Sequence, residues 1–127
     1  MKAIGIGLAA VTLVLLGTVW WQGFAAPPGL MQGAGTPEEE AAYCLAVAER
    51  IAEITGGRAD ARLRVHLDEQ IGFWRARAGP RPGLGRAMLG RATAGPGVNE
   101  GAHLHLAVQD CALRAISFYG HRFAGFD

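Results

Sequence analysis

The stretch TPEEEAAYCLAVAERIAEIT, residues 36–55, decides the fold class of this 127-residue chain. It opens with several helix-start signals: a hydroxyl at Thr36 for the N-cap, Pro37 at the first helical position, and Glu39 three residues after the cap. At 100° per residue Glu49 and Glu53 fall on one side of the helix, opposite an apolar stripe. The stripe consists of Ala41, Cys44, Val47, Ala48, Ile51, Ala52 and Ile54. This pattern predicts an amphipathic helix that ends at the glycine pair 56–57.

Two further amphipathic helices are predicted downstream. One begins near Asp60, and its apolar residues recur at spacings of four, four, three and four: Leu63, Leu67, Ile71, Trp74 and Ala78. The other runs from an N-cap at Asn99 to about Tyr119, with a stripe of Leu104, Val108, Cys111, Ala115, Phe118 and Tyr119. Leu106 and Leu113 form a second apolar patch on this last helix. The two patches predict neighbours on two sides, and therefore a central position in the bundle.

Between these helices, residues 79–97 contain six glycines and three prolines, which limits any order there to short pieces. We expect a short helical segment within residues 84–94, with Met88 and Leu89 facing inward. The predicted fold is all-α: a small helical bundle of three main helices plus this short segment, preceded by one transmembrane or signal helix. The exported helical domain is expected to cover residues 37–127.

The N-terminal part predicts a membrane segment, because no charged side chain lies between Lys2 and Glu38. A helix over the apolar residues 3–21 would reach roughly 28 Å, close to the thickness of a bilayer core. Trp20 and Trp21 would lie at one membrane interface and Lys2 on the cytoplasmic side. We therefore predict an inner-membrane anchor over residues 1–22 and a flexible linker over residues 23–36, with the C-terminal domain in the periplasm.

A cleaved signal peptide ending near residue 25 is the alternative, since Gly23 and Ala25 are small residues at the positions that a signal peptidase inspects. Cleavage would give a soluble periplasmic or secreted protein. Both alternatives export the domain.

The two cysteines, Cys44 and Cys111, lie in the middle of the apolar stripes of the first and last helices of the domain. Packing of these helices would bring the two thiols together. In an oxidising compartment an even pair placed in this way predicts a structural disulfide.

Several chemistries are disfavoured by the sequence. The chain has 12 basic and 11 acidic residues, and its net charge of +1 provides no general attraction to nucleic acid. No CxxC motif and no phosphate-binding glycine pattern occurs, and Ser117 lacks the glycines of a nucleophile elbow. We therefore expect neither an enzyme nor a cofactor.

Two weaker patterns are candidates for function. On the last helix a polar strip falls within one sector of the surface: His103, Asp110, Arg114 and His121. It could hold a metal ion or transfer protons, or it could be an ordinary polar face of the bundle. The second pattern is an arginine-rich edge, which could bind an acidic partner or anionic lipid, or could pair internally with the acidic first helix. The edge consists of Arg75, Arg77, Arg81, Arg86 and Arg91.

From the sequence we predict a non-enzymatic, membrane-anchored periplasmic accessory or protein-interaction module with a structural disulfide. Its expected partners are the inner membrane, through the N-terminal helix, and another protein. The alternatives are a soluble secreted binding or inhibitor protein, and a metal-binding protein that uses His103, Asp110 and His121.

Overall fold

The computed structural model describes residues 2–21, 34–81 and 83–124, and within these ranges it contains helices and no strand. A short 3-10 turn at Gly56–Arg58 follows the second helix. The five α-helices are α1 Lys2–Trp20, α2 Pro37–Thr55, α3 Ala61–Arg75, α4 Leu84–Thr93 and α5 Glu100–Tyr119. The prediction of an all-helical fold is confirmed, and the short segment expected after residue 79 is a full ten-residue helix.

The predicted helix starts are confirmed at three N-caps: Thr36, Asp60 and Asn99. Each of these side chains accepts a hydrogen bond from the backbone N–H three residues later, at distances of 3.2, 2.8 and 2.9 Å. Such a bond satisfies one of the donors that the first helical turn leaves without a partner. α5 ends at Gly120, whose φ of 65° is a left-handed conformation that glycine adopts without a steric penalty.

The central helix is α2, since α3, α4 and α5 each make their main helix contacts with it. It is buried on several sides, from Glu40 to Cys44 and again from Ala46 to Ala48. Half of these residues are alanines, which allow neighbouring backbones to approach closely. The prediction that α5 lies at the centre is wrong, because Leu106 is 62 % exposed and Leu113 is 56 % exposed.

Helix α4 approaches α2 closely at Gly85. A Cβ atom at this position would overlap the backbone carbonyl of Ala42 in α2. As predicted, the neighbouring Met88 and Leu89 are buried and join the core. Glycine at residue 85 therefore sets the distance between α2 and α4.

We expect Gly85→Ala to destabilise the protein by about 1–3 kcal/mol, because the added methyl group must push the two helices apart. Gly90→Ala is the matched control: it lies in the same helix, and a Cβ there has no other atom within 4 Å. The control should gain about 0.5–1 kcal/mol from helix propensity. Urea denaturation of both variants measures the difference, and equal stability changes would contradict the close approach.

α3 contributes the predicted residues Leu67 and Trp74 to the core, together with Phe73 and Gln70, which the apolar spacing did not identify. The helix ends at Arg75, so Ala78, the last residue of the predicted stripe, lies beyond it. Phe73 contacts several aromatic rings of α5 and the segment after it, including Tyr119 and the buried Phe123. The segment after α5 thereby packs against α3.

At the N-terminus, α1 covers most of the predicted membrane segment, and its described side chains, including Trp20, are exposed. Trp21, directly after α1, is exposed as well. Within the described part of the chain, however, no helix combines enough length with enough apolar character to cross a membrane. The transmembrane prediction is therefore not supported by these helices. The side chain of Lys2 lies outside the described part of the molecule.

Most of the predicted linker, residues 23–33, also lies outside the described residues, as does residue 22 of the predicted anchor. The end of that linker is described, and it belongs to the domain: Ala34 is buried in the hydrophobic core. The N–H of Gly35 donates to Glu39 at 2.8 Å, which fixes the entry of the chain into α2. The packed domain thus includes at least the three residues that precede its predicted start at residue 37.

Candidate functional site

The predicted disulfide is present, and it links α2 to α5. Cys44 and Cys111 are fully buried, and their Cα atoms are 5.7 Å apart. The bond joins the central helix to the last helix at the middle of their contact. This places it in the core of the module, where solvent does not reach the sulfur atoms.

The first member of the polar strip, His103, pairs with Tyr43 of α2. The Tyr43 hydroxyl lies 2.8 Å from Nε2 of His103. Burial, with a smaller contribution from the negative charge of Asp110, raises the pKa of Tyr43 to about 12. A phenol with so high a pKa stays protonated near neutral pH, and its contact with His103 joins α2 to α5.

Arg114, the third member of the strip, forms a buried ion pair with Glu40. Its Nε donates to Oε1 of Glu40 at 2.9 Å, and the side chains are 10 % and 0 % exposed. The other oxygen, Oε2, has no hydrogen-bond partner among the described residues. Burial raises the pKa of Glu40, while the hydrogen bond and the charge of Arg114 act in the opposite direction. The guanidinium also lies over the Phe118 ring, 4.0 Å from its centroid.

The remaining strip residues do not complete a site. Asp110 is on the outer side of α5, and partial burial raises the pKa of its carboxyl. His121 stacks on Phe73, with ring centroids 4.6 Å apart. Throughout the described ranges, no three side chains of His, Cys, Asp or Glu come together in a way that could hold a metal ion. The strip therefore consists of separate contacts between α5, α2 and α3.

The arginine-rich edge mostly faces acidic residues of α2. Arg75 and Arg81 bind Glu49 and Glu39 at 3.1 and 3.0 Å. Arg86 lies 3.4 Å from the carboxylates of both Glu49 and Glu53. Because these arginines are largely exposed, solvent screens each pair and its contribution to stability is small. These ion pairs match the alternative in which the arginine-rich edge pairs with the acidic residues of the first helix of the domain.

Two members of the edge differ from the other three. The guanidinium of Arg77 lies over the Phe73 ring, 3.7 Å from its centroid, and donates to the backbone carbonyl of the same residue at 2.8 Å. Arg91 is exposed and forms no ion pair within the described residues. An external acidic partner would therefore meet few uncompensated charges on this edge.

A shallow depression of about 190 Å³ lies between α2, α4 and the start of α5. Its charged lining is paired: Arg50 donates to Glu100 at 2.7 Å and to Glu53 at 3.3 Å. The hydrogen bond from Arg50 lowers the pKa of Glu100. Small-molecule sites usually enclose about 300–1,000 Å³ and bury most of the ligand. This depression is smaller and lined by groups that already satisfy one another.

One buried polar network was not predicted, and it centres on Gln70 of α3. The Gln70 side chain is fully buried, accepts from the Trp74 indole at 3.2 Å and lies 2.9 Å from Nε2 of His66. His66 in turn lies 3.3 Å from the carbonyl oxygen of Ala124. These residues are four apart in α3, so helical spacing could have revealed the first two contacts. The network connects α3 to the segment that follows α5.

No family model, curated protein or solved structure matches this chain. A functional assignment therefore depends on the geometry of the molecule itself.

Proposed function

We propose that this protein is a non-enzymatic accessory module that acts outside the cytoplasm by binding another protein. The observation that carries the proposal is the Cys44–Cys111 disulfide at the centre of the bundle. Disulfides persist in oxidising compartments and are rare in the cytoplasm, where thiols are kept reduced. A module whose central and last helices are joined by a disulfide is suited to an exported environment.

The apolar N-terminal segment supports the same proposal. The described residues 5–21 carry no charge and expose their side chains, including Leu8, Leu13 and Leu16. Such a segment can direct a chain to the export machinery whether it is kept or removed. In the form that we favour, residues 1–22 hold the module at the inner membrane and the domain lies in the periplasm. Cleavage near residue 25 would release it as a soluble periplasmic protein.

Several titratable side chains of the domain already contact one another, and this favours a binding role over a catalytic one. Tyr43 and His103 satisfy each other, and the carboxylate of Glu40 is occupied by Arg114 in the core. An enzyme generally needs a cleft in which a base or a nucleophile reaches substrate. The paired groups described here hold α5 against α2, so their evident effect is on stability.

Export is tested by trapping thiols with a maleimide in cells that express the full chain. We expect Cys44 and Cys111 to remain unlabelled after acid quenching and denaturation, and to label only after reduction. Cys44→Ala is the control, because it leaves Cys111 without a partner and should label without reductant. Labelling of both wild-type thiols before reduction would contradict export.

The form of the N-terminus is decided by sequencing the mature protein from the membrane and soluble periplasmic fractions. An intact Met1 in the membrane fraction would support the anchored form. A new N-terminus near residue 26 in the soluble fraction would support the secreted binding protein instead.

A further inference from the structure

The outer side of α5 carries an apolar seam that faces solvent. Its residues recur at spacings of four, three, four and three: Ala102, Leu106, Gln109, Leu113 and Ile116. All five are exposed, the two leucines by more than half of their side-chain area and Ile116 by 36 %. We call this set the outer seam.

The outer seam lies away from the side of α5 that packs on α2, where Leu104, Cys111 and Ala115 are buried. A helix at the edge of a monomeric bundle needs only one apolar side. Within the described residues the second side stays exposed, so the fold of one chain does not explain it. The spacing of the outer seam is the 3.5-residue repeat with which two helices pack along each other.

The polar residues beside the outer seam indicate which helix it fits. We place Leu106 and Leu113 at position a of a seven-residue repeat. His105 then occupies position g of one repeat, and Asp110 occupies position e of the next repeat. In a parallel helix pair, position g of one helix lies beside position e of the other helix. His105, whose Nε2 lies 3.1 Å from Nε2 of Gln109 in its own helix, would turn from that contact to the carboxylate of Asp110 in the other copy, and two-fold symmetry would form this contact twice.

An antiparallel pair of the same helices is less favourable. The alignment that places Leu106 opposite Ile116 of the second copy also brings the two Asp110 carboxylates together. Like charges in contact disfavour an arrangement. Repulsion between the two Asp110 carboxylates therefore disfavours the antiparallel orientation, and in the parallel pair Gln109, at position d, would meet itself and fix the register.

We propose that the outer seam binds a second copy of this chain through a parallel pairing of the two α5 helices. Five side chains form a contact at the small end of specific interfaces, so the dimer is weak in dilute solution. Shared attachment to one membrane would strengthen it by raising the local concentration. The proposal goes beyond the accessory function and does not depend on the compartment, because the contact lies entirely within α5.

The test is disulfide cross-linking of purified full-length Gln109→Cys under mild oxidation. In the parallel pair residue 109 faces its own copy, so we expect a product of twice the chain mass on a non-reducing gel. Val65→Cys is the matched control, since residue 65 is half-exposed on α3 and lies outside the outer seam. Leu113→Lys in the Gln109→Cys background should reduce the cross-linked fraction several-fold.

A charge exchange tests the orientation separately. His105→Asp should weaken cross-linking by placing two carboxylates together, and adding Asp110→His should restore it. Residues five apart do not meet within one helix, so recovery would report a contact between copies. The proposal is overturned if Gln109→Cys cross-links no more than Val65→Cys or joins a protein of another mass. The proposal is also overturned if Gln109→Cys forms a disulfide only with a second copy that carries Leu113→Cys, because residue 113 faces residue 109 in the antiparallel alignment.

Discussion

Arg114→Leu should destabilise the protein by about 3–5 kcal/mol, because it leaves the buried carboxylate of Glu40 without a counter-charge. This is one of the two largest effects that we expect. Glu40 is fully buried, and its Oε1 accepts the hydrogen bond from Arg114. Removal of the arginine also exposes the Phe118 ring that the guanidinium covers. The free energy of unfolding from urea titration measures the loss. Arg122→Leu, at an exposed position, is the control and should change stability by less than about 0.5 kcal/mol.

The double variant Glu40→Leu/Arg114→Leu should recover most of the lost stability. Replacing both members of a buried ion pair with apolar side chains is often neutral or stabilising, whereas removing one member is costly. The four proteins form a double-mutant cycle that isolates the interaction between residues 40 and 114. Additive losses in the cycle would show that the two side chains are not coupled.

The same pair predicts a pH dependence with a definite sign. Burial raises the pKa of Glu40 above its unfolded value, and loss of Arg114 removes the effect that opposes this rise. The folded state then binds a proton more readily than the unfolded state, so stability increases as the pH falls. The deficit of Arg114→Leu should therefore be smaller at about pH 5 than at about pH 8. An equal deficit at both pH values would contradict a buried, unpaired carboxylate.

Removal of the disulfide should have an effect of similar size. The bond joins residues 67 positions apart, and closure of such a loop restricts the unfolded chain by about 4 kcal/mol in the chain-entropy description. Cys44→Ala and Cys111→Ala should each lower the melting temperature under oxidising conditions, and the double variant should add little. The reason is that the first substitution already breaks the bond.

Reduction of the wild-type protein provides the control for these variants. Dithiothreitol should bring the wild-type melting temperature close to that of the double variant and leave the variants unchanged. A single variant as stable as the oxidised wild type would show that the bond contributes nothing.

The helices could be predicted because their signals are local. Thr36, Asp60 and Asn99 each cap a helix through a bond to a backbone group three residues away, and the spacing of Leu67 and Trp74 marks the inner side of α3. The arrangement of the helices was not predictable in the same way. α5 has two apolar sides, and periodicity alone does not say which of them meets α2.

The contacts of the polar strip were missed for a related reason. The helical period correctly places His103 and Arg114 in one sector of α5. Their partners, Tyr43 and Glu40, lie on α2, 60 and 74 residues away in the chain. Glu40 also follows the exposed Glu38 and the half-buried Glu39 at the helix start, where an acid is expected to face solvent. Only the packing of α5 on α2 distinguishes it from its neighbours.

The disulfide has a further consequence for the connection between α4 and α5. Residues 94–98 of this connection, which include Gly95 and Pro96, are exposed, and the Cys44–Cys111 bond spans them. A protease that cut the backbone here would produce two fragments that remain one covalent molecule. The severed α5 would stay docked on α2, so a single nick would change the mass on a reducing gel while leaving the module assembled.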